Sequence, residues 1–348
     1  MKSVLGEMGQ DLSTANCPLR IVVLGKRDDP WLSELAGLPE QAMILAWGEN
    51  LEQLLASGRA FTEGNVLFCA SGGAKELGPV INQMPFLEWL HCLFAGVDHL
   101  ICKELLDNAD VVVTNAKGVF SSSLAEYVML ACAYFSKDLP RLMLNKEKMN
   151  YDRFTVGEIR GKTMGIVGYG DIGRSVAVLA KAYGMKILGL RRNPDLSQGD
   201  PLLDEILGSS QDELMKMMRE SDFLVVCAPL TKETRHMIGE SQLASSRKGQ
   251  ILINIGRGPL IDEDALIAAL RHGFLAGAAL DVFTVEPLPK DSLLWRLPNV
   301  LISPHNADMT SDFRHKSVQL FAQMCKEFVS QGCKPANLDN QVDVYSGY

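Results

Sequence analysis

The sequence predicts an α/β protein made of two domains, each an open parallel sheet flanked by helices. Three observations carry this. The chain has 348 residues, more than one ordinary core accommodates. Short apolar runs alternate with segments of helical spacing, which means βαβ units. A glycine-rich turn at 168–173 joins one apolar run to an apolar-periodic helix.

The first block holds apolar runs at Leu19–Leu24, Ala42–Trp47, Asn65–Ala70, Phe86–Phe94 and Asp110–Thr114. Between them, Leu51–Ala56 and Lys75–Gln83 have helical spacing. Residues 1–18 are polar and read as loose. A long helix is expected after Ser121-Ser122-Ser123, with Glu126 three residues after Ser123 completing a capping box. Pro140 must kink or end it, and a second helical piece, Arg141–Met149, leads into a polar, extended segment to Arg160. The second block offers strands at Thr163–Val167, Met185–Leu190, Phe223–Cys227, Ile251–Ile255, Ala276–Val282 and Val300–Ser303. A last helix, Asp312–Val329, returns toward the first block. The expected domains are therefore 1–118 plus 312–348, discontinuous, and 119–311.

Composition excludes several classes. An apolar share of 47% with 22% charged residues describes a globular chain, not a disordered one. A net charge of −8 argues against nucleic acid as partner. The longest apolar run, Tyr127–Phe135, is too short to span a bilayer, so no membrane partner is expected. Eight scattered cysteines without a C-x-x-C pair point to a reducing, cytoplasmic setting and to no metal site. The N-terminus lacks a basic stretch followed by an apolar one, so no signal peptide is expected.

The turn itself reads Gly168-Tyr169-Gly170-Asp171-Ile172-Gly173. Gly168 suits the tight turn, Gly170 leaves room beside the backbone, and Gly173 lets the helix pack on the strand. Free N–H groups at the helix start would face a dinucleotide pyrophosphate. The next strand runs into Arg191-Arg192, where an NAD-binding chain would place a carboxylate. A guanidinium grips a 2′-phosphate that a carboxylate would repel. NADP(H) is therefore expected over NAD(H), which is still possible.

Four later features sit at predicted strand ends, where ligands bind in open α/β sheets. In Asn254-Ile255-Gly256-Arg257-Gly258-Pro259, glycines flank an arginine. Asp281 closes an apolar run, where it either caps the next turn or bonds a nicotinamide carboxamide. Glu286 stands in a stiff Pro-rich loop, and His305 follows a strand and Pro304. Each alone fits an ordinary structural role. Their order after the glycine turn is not easily explained by packing.

With these motifs the chain resembles the D-isomer-specific 2-hydroxyacid dehydrogenase family, from about Asn65 to Phe321. The likeness is densest at 165–173, Ile253–Gly258, Gly277–Phe283 and Ser303–His305. It implies two Rossmann-like or flavodoxin-like domains with the active site in the cleft between them. The family's catalytic Arg, Glu and His fall on Arg257, Glu286 and His305. His305 would donate a proton to a keto oxygen, Glu286 would hold the charged ring, and Arg257 would bind the carboxylate and polarise the carbonyl. Ala95, Gly96 and Val97 lie in the implied substrate-carboxylate loop, read as an anion nest of backbone amides. Ala228, Pro229, Thr234, Ile255 and Gly256 join the implied cofactor contacts, with Arg257, Asp281 and His305. The implied reaction is reduction of a small 2-keto acid of the glyoxylate or hydroxypyruvate kind to the D-2-hydroxy acid, by a homodimer whose contact uses the 139–160 connector.

Departures touch the substrate more than the reaction. Asp308 stands where the family often has a small residue, and a carboxylate there would discourage a second acidic group. The Ser71-Gly72-Gly73 loop either adds amides to the site or is a plain turn. Two alternatives share the fold: a dinucleotide-sensing corepressor-like protein, and an NAD-dependent phosphoglycerate dehydrogenase-like enzyme.

Overall fold

A computed structural model describes residues 19–345. The expectations for residues 1–18, Cys17 among them, lie outside that range. The chain divides into two units: residues 19–116 with 314–345, and Lys117–Phe313.

The first unit begins with β1 (Leu19–Leu24), β2 (Ala42–Gly48), α1 (Leu51–Ala56), β3 (Val66–Cys69), α2 (Ala74–Ile81), β4 (Trp89–Cys92), α3 (Lys103–Leu106) and β5 (Val112–Asn115). The nearly continuous apolar reading of β1 and β3 follows from burial on both faces. Leu54, Leu77 and Leu105 pack on one face of this sheet. Within the same strands, β4 carries His91 into the interior. Its Nδ1 lies 2.8 Å from Thr114 Oγ1, which also accepts the Trp89 indole N–H at 2.8 Å.

The second unit opens with α4 (Ser121–Ser136) and α5 (Leu139–Glu147). Then come β6 (Thr163–Val167), α6 (Asp171–Ala182), β7 (Lys186–Leu190), β8 (Glu205–Leu207), α7 (Gln211–Glu220) and β9 (Phe223–Val226). The unit closes with α8 (Glu240–Ala244), β10 (Ile251–Asn254), α9 (Glu263–His272), β11 (Gly277–Leu280) and β12 (Val300–Ile302). Its seven strands run in the order β12-β11-β10-β9-β6-β7-β8, all parallel. Gly173, Val176, Ala177 and Ala180 form the buried stripe of α6, at the three-and-four spacing that its sequence shows.

The chain then re-enters the first unit with α10 (Phe313–Ser330) and β13 (Gln341–Val342). Phe321 stacks on Phe68 at 4.4 Å between ring centroids, and Phe328 on Trp89 at 5.6 Å, so α10 covers the sheet's second face. The sheet order is β13-β5-β4-β3-β1-β2, with β13 antiparallel to β5.

Three details differ from the sequence reading. β8 and β13 are unforeseen, because three-residue and two-residue edge strands carry no periodicity. The capping box at Ser123 and Glu126 does not form. Instead α4 begins at Ser121 with Phe120 as its unassisted cap, because the serine hydroxyls are drawn elsewhere. Ser121 Oγ pairs with the Asp171 carboxylate, and Ser123 Oγ donates to Ala307 O at 2.6 Å. Pro140 does not interrupt α4; it sits in the first turn of α5, where its missing N–H costs nothing.

Candidate active site

The candidate residues of the second unit leave its sheet at the C-terminal ends of parallel strands. Gly168 follows β6, Arg191 follows β7, Ala228 lies just past β9, Ile255 follows β10, Asp281 follows β11 and Ser303 follows β12.

The glycine turn is shaped by backbone packing. Gly168 has φ +97°, and a Cβ there would lie 2.5 Å from the Ala228 nitrogen. A Cβ on Gly173 would meet Gly168 O and the Ile166 side chain at 2.9 Å. Gly170 differs: a Cβ on it would meet nothing within 4 Å. Asp171, Ile172 and Gly173 donate their N–H groups to no acceptor among the described residues. An open backbone, three adjacent unused donors and the positive end of a twelve-residue helix fit a pyrophosphate. Tyr169 is buried beneath the turn, and its hydroxyl donates to Asp200 at 3.1 Å.

Arg191 is set in place by Ser197, whose Oγ accepts its Nη1–H at 2.6 Å. Ser197 belongs to the short turn after Pro194 and is buried; nothing in the sequence pattern singled it out. Arg192 is exposed. The Pro229–Thr234 loop ties to itself: Thr234 Oγ1 donates to Pro229 O and accepts the Thr231 N–H, each at 2.7 Å.

Arg257 stands in a loop held from two sides. Asn254, buried at the end of β10, accepts the Gly256 N–H and donates to Arg257 O, both at 3.1 Å. A Cβ on Gly258 would fall 1.9 Å from the Phe283 carbonyl carbon, so only glycine fits there. The Arg257 Nη1 donates to Gly256 O at 2.8 Å. The neighbouring Phe283 N–H bonds Glu286 Oε1 at 2.9 Å, and Glu286 Oε2 lies 2.7 Å from His305 Nδ1. A carboxylate only accepts, so Nδ1 carries the proton of that bond. The other ring nitrogen, Nε2, has no partner among the described residues, and the side chain is 43% exposed.

His305 itself has φ +51°, a left-handed conformation unusual for a residue with a Cβ. Asp281 maintains it. The Asp281 backbone oxygen accepts the His305 N–H at 2.8 Å. Its buried carboxylate accepts the N–H groups of Asn306 at 3.1 Å and Ala307 at 3.2 Å, and the Ser303 hydroxyl at 2.6 Å. Of the two expectations for Asp281, the turn cap is the one whose contacts are present. Asp308 is half-buried, and burial raises its carboxyl above the usual range despite the attraction of His305 and Arg257.

In the first unit, Ala95, Gly96 and Val97 follow β4. Their three N–H groups donate to no acceptor among the described residues. None of residues 94–98 has a left-handed φ, so the amides line a turn without the alternating dihedrals of a nest. Asn115 fixes this loop by donating to Ala95 O at 2.6 Å, a role that its position in the sequence did not signal. In the Ser71–Gly73 loop the Gly73 N–H bonds Glu76 Oε2 at 3.0 Å, which takes one amide away from the first of the two alternatives for that loop.

Comparison with known proteins agrees with these motifs. The NAD binding domain of the D-isomer specific 2-hydroxyacid dehydrogenases matches residues 127–307. A glyoxylate reductase of Aeropyrum pernix is 36% identical over 271 residues, 75% of this chain and 79% of that protein. A D-3-phosphoglycerate dehydrogenase of Methanocaldococcus jannaschii is 33% identical over 307 residues, covering 86% of this chain but 56% of its own length. The structure of a D-isomer specific 2-hydroxyacid dehydrogenase from Xanthobacter autotrophicus Py2, in complex with NADPH and MES, superposes with a TM-score of 0.77 at 27% identity. That match covers 94% of this chain and 99% of the other. The chain belongs to the D-isomer specific 2-hydroxyacid dehydrogenase family and is an oxidoreductase with an NAD(P)-binding Rossmann domain.

Proposed function

We propose that this chain reduces a small 2-keto acid, of the glyoxylate or hydroxypyruvate kind, to the D-2-hydroxy acid with NADPH. The observation that carries the reading is His305, whose Nδ1 is engaged by Glu286 while Nε2 has no partner among the described residues. A nicotinamide cofactor, when bound, supplies the hydride. His305 Nε2 gives its proton to the keto oxygen as that oxygen gains charge. Glu286, anchored by the Phe283 N–H, holds the ring and balances its positive charge. Arg257 takes the substrate carboxylate with its planar fork and polarises the neighbouring carbonyl. On the first unit, the amides of Ala95, Gly96 and Val97, without an acceptor among the described residues, are proposed as donors for a substrate carboxylate.

The preference for NADP(H) rests on Arg191, already oriented by Ser197, with Arg192 beside it. The glyoxylate reductase from Aeropyrum pernix supports the substrate class, and the NADPH complex from Xanthobacter autotrophicus supports the coenzyme. Two further features belong to the reading. A homodimer would cover the connector after α4: α5 has no buried residue, and Met149 and Tyr151 are 93% and 95% exposed. A monomeric mass by light scattering excludes this. Cytoplasmic residence is favoured by the seven described cysteines, all unpaired.

The test is a panel of 2-keto acids run with NADPH and with NADH. Turnover of glyoxylate or hydroxypyruvate, faster with NADPH, is expected. Oxidation of neither coenzyme by any acid in the panel would favour the sensing alternative.

A further inference from the structure

We propose that Tyr127 and Ser303 are positioning residues that lock His305 in its working conformation, through a one-way chain of hydrogen bonds ending on Asp281. The inference rests on His305 being the proton donor. Its evidence is separate, and concerns which group donates to which.

Ser303 Oγ lies 2.6 Å from Asp281 Oδ1 and 2.7 Å from Tyr127 Oη. A serine hydroxyl has one proton, and an ionised carboxylate can only accept. Ser303 therefore donates to Asp281, and Tyr127 must donate to Ser303. Burial pushes the Tyr127 phenol up to about 12, so it keeps this proton at any working pH. The direction of the chain is thereby set: Tyr127 to Ser303 to Asp281.

Asp281 passes the constraint on. Its carboxylate also accepts the N–H groups of Asn306 and Ala307, and its backbone oxygen accepts that of His305. The three amides that follow Pro304 thus all end on one residue. The resulting turn has His305 at φ +51°, a left-handed conformation uncommon for an L residue. From the other side, Ser123 Oγ donates to Ala307 O at 2.6 Å. Ser123 and Tyr127 are four residues apart on α4 and share a face. One helix face therefore holds the histidine loop at two points. The first turn of the same helix holds Asp171, at the start of the phosphate-facing helix, through Ser121. Helix α4 is a rack common to both ends of the site.

The chain is tested with Tyr127→Phe, Ser303→Ala and Ser303→Thr in the full-length protein. Two quantities are read: steady-state kinetics with glyoxylate and NADPH, and hydrogen exchange of the 303–309 segment without ligand. Losing the Tyr127 donor should lower kcat by about tenfold, and Ser303→Ala, which strips a buried carboxylate of a donor, by about a hundredfold. The NADPH dissociation constant should change little, and the melting temperature should fall by no more than several degrees. Exchange of the 303–309 amides should speed up by about tenfold in Ser303→Ala. Ser303→Thr, which keeps the hydroxyl, should restore both. Wild-type exchange and kcat in Ser303→Ala would overturn the proposal. So would a loss of kcat that tracks a general loss of melting temperature and is not rescued by threonine. Should the wild type reduce no 2-keto acid, the underlying functional reading fails, while the exchange data still decide whether the chain holds the loop.

Discussion

Glu286 divides its carboxylate between two partners: Oε2 meets His305 Nδ1 at 2.7 Å, and Oε1 accepts the Phe283 N–H at 2.9 Å. The second bond fixes the carboxylate, so the first has a defined direction. Glu286→Gln can keep the shape of this arrangement but not its charge. We expect kcat to fall by about 10- to 100-fold, as for loss of a charged hydrogen bond of about 1.5–3 kcal/mol. NADPH affinity, measured by fluorescence titration, should stay within about twofold. An unchanged kcat would remove Glu286 from the mechanism.

Arg191 offers a separate test of coenzyme choice. Its guanidinium is held by Ser197 Oγ, so it is ordered before any phosphate arrives. Arg191→Ala should raise KM for NADPH by about tenfold or more, the size of one charged contact, and leave KM for NADH nearly unchanged. Equal effects on both coenzymes would place the arginine outside phosphate recognition.

His91 predicts acid sensitivity. Burial lowers it from 6.5 to about 3, and its Nε2 has no partner among the described residues. The folded chain therefore refuses a proton that the unfolded chain accepts. This contribution to stability is complete above about pH 6.5 and is lost as pH falls toward 3, at roughly 1.4 kcal/mol per pH unit. Thermal melts of wild type and His91→Phe between pH 7 and 4 should show a shallower acid decline in the variant. Parallel declines would assign the acid sensitivity to other groups.

Asp308 works in the opposite sense. Burial raises its carboxyl, so the folded chain binds a proton more readily than the unfolded one. Stability should drop as pH climbs through the interval above 3.8. Asp308→Asn removes that penalty, and its melting temperature should gain on wild type from pH 4 to pH 7. A constant difference across that range would mean the carboxyl titrates normally.

Much of this was readable in advance, and the reasons for the rest are physical. β1 and α1 were placed to the residue, because β1 is a dense apolar run between Pro18 and Gly25 and α1 a helical pattern between Asn50 and Ser57. Arg257, Glu286 and His305 were singled out by local motifs and given their expected roles by the family resemblance, and the structure brings Glu286 and His305 into contact. Other contributors are ordinary residues whose partners are distant in sequence. Tyr127 meets Ser303 across 176 positions, and Ser123 meets Ala307 across 184. The same serines that suggested a helix cap are spent on tertiary bonds, so local chemistry misled where long-range bonding competed with it. Asp281 was left between two roles, and four donors from residues 303–307 give it the contacts of a cap.

The central claim, that His305 delivers the proton, is tested most directly by His305→Ala assayed with glyoxylate while NADPH binding is measured in parallel. The account predicts a fall in kcat of at least about 100-fold, the typical share of a general acid. NADPH binding should be nearly intact. Wild-type turnover in this variant would contradict it.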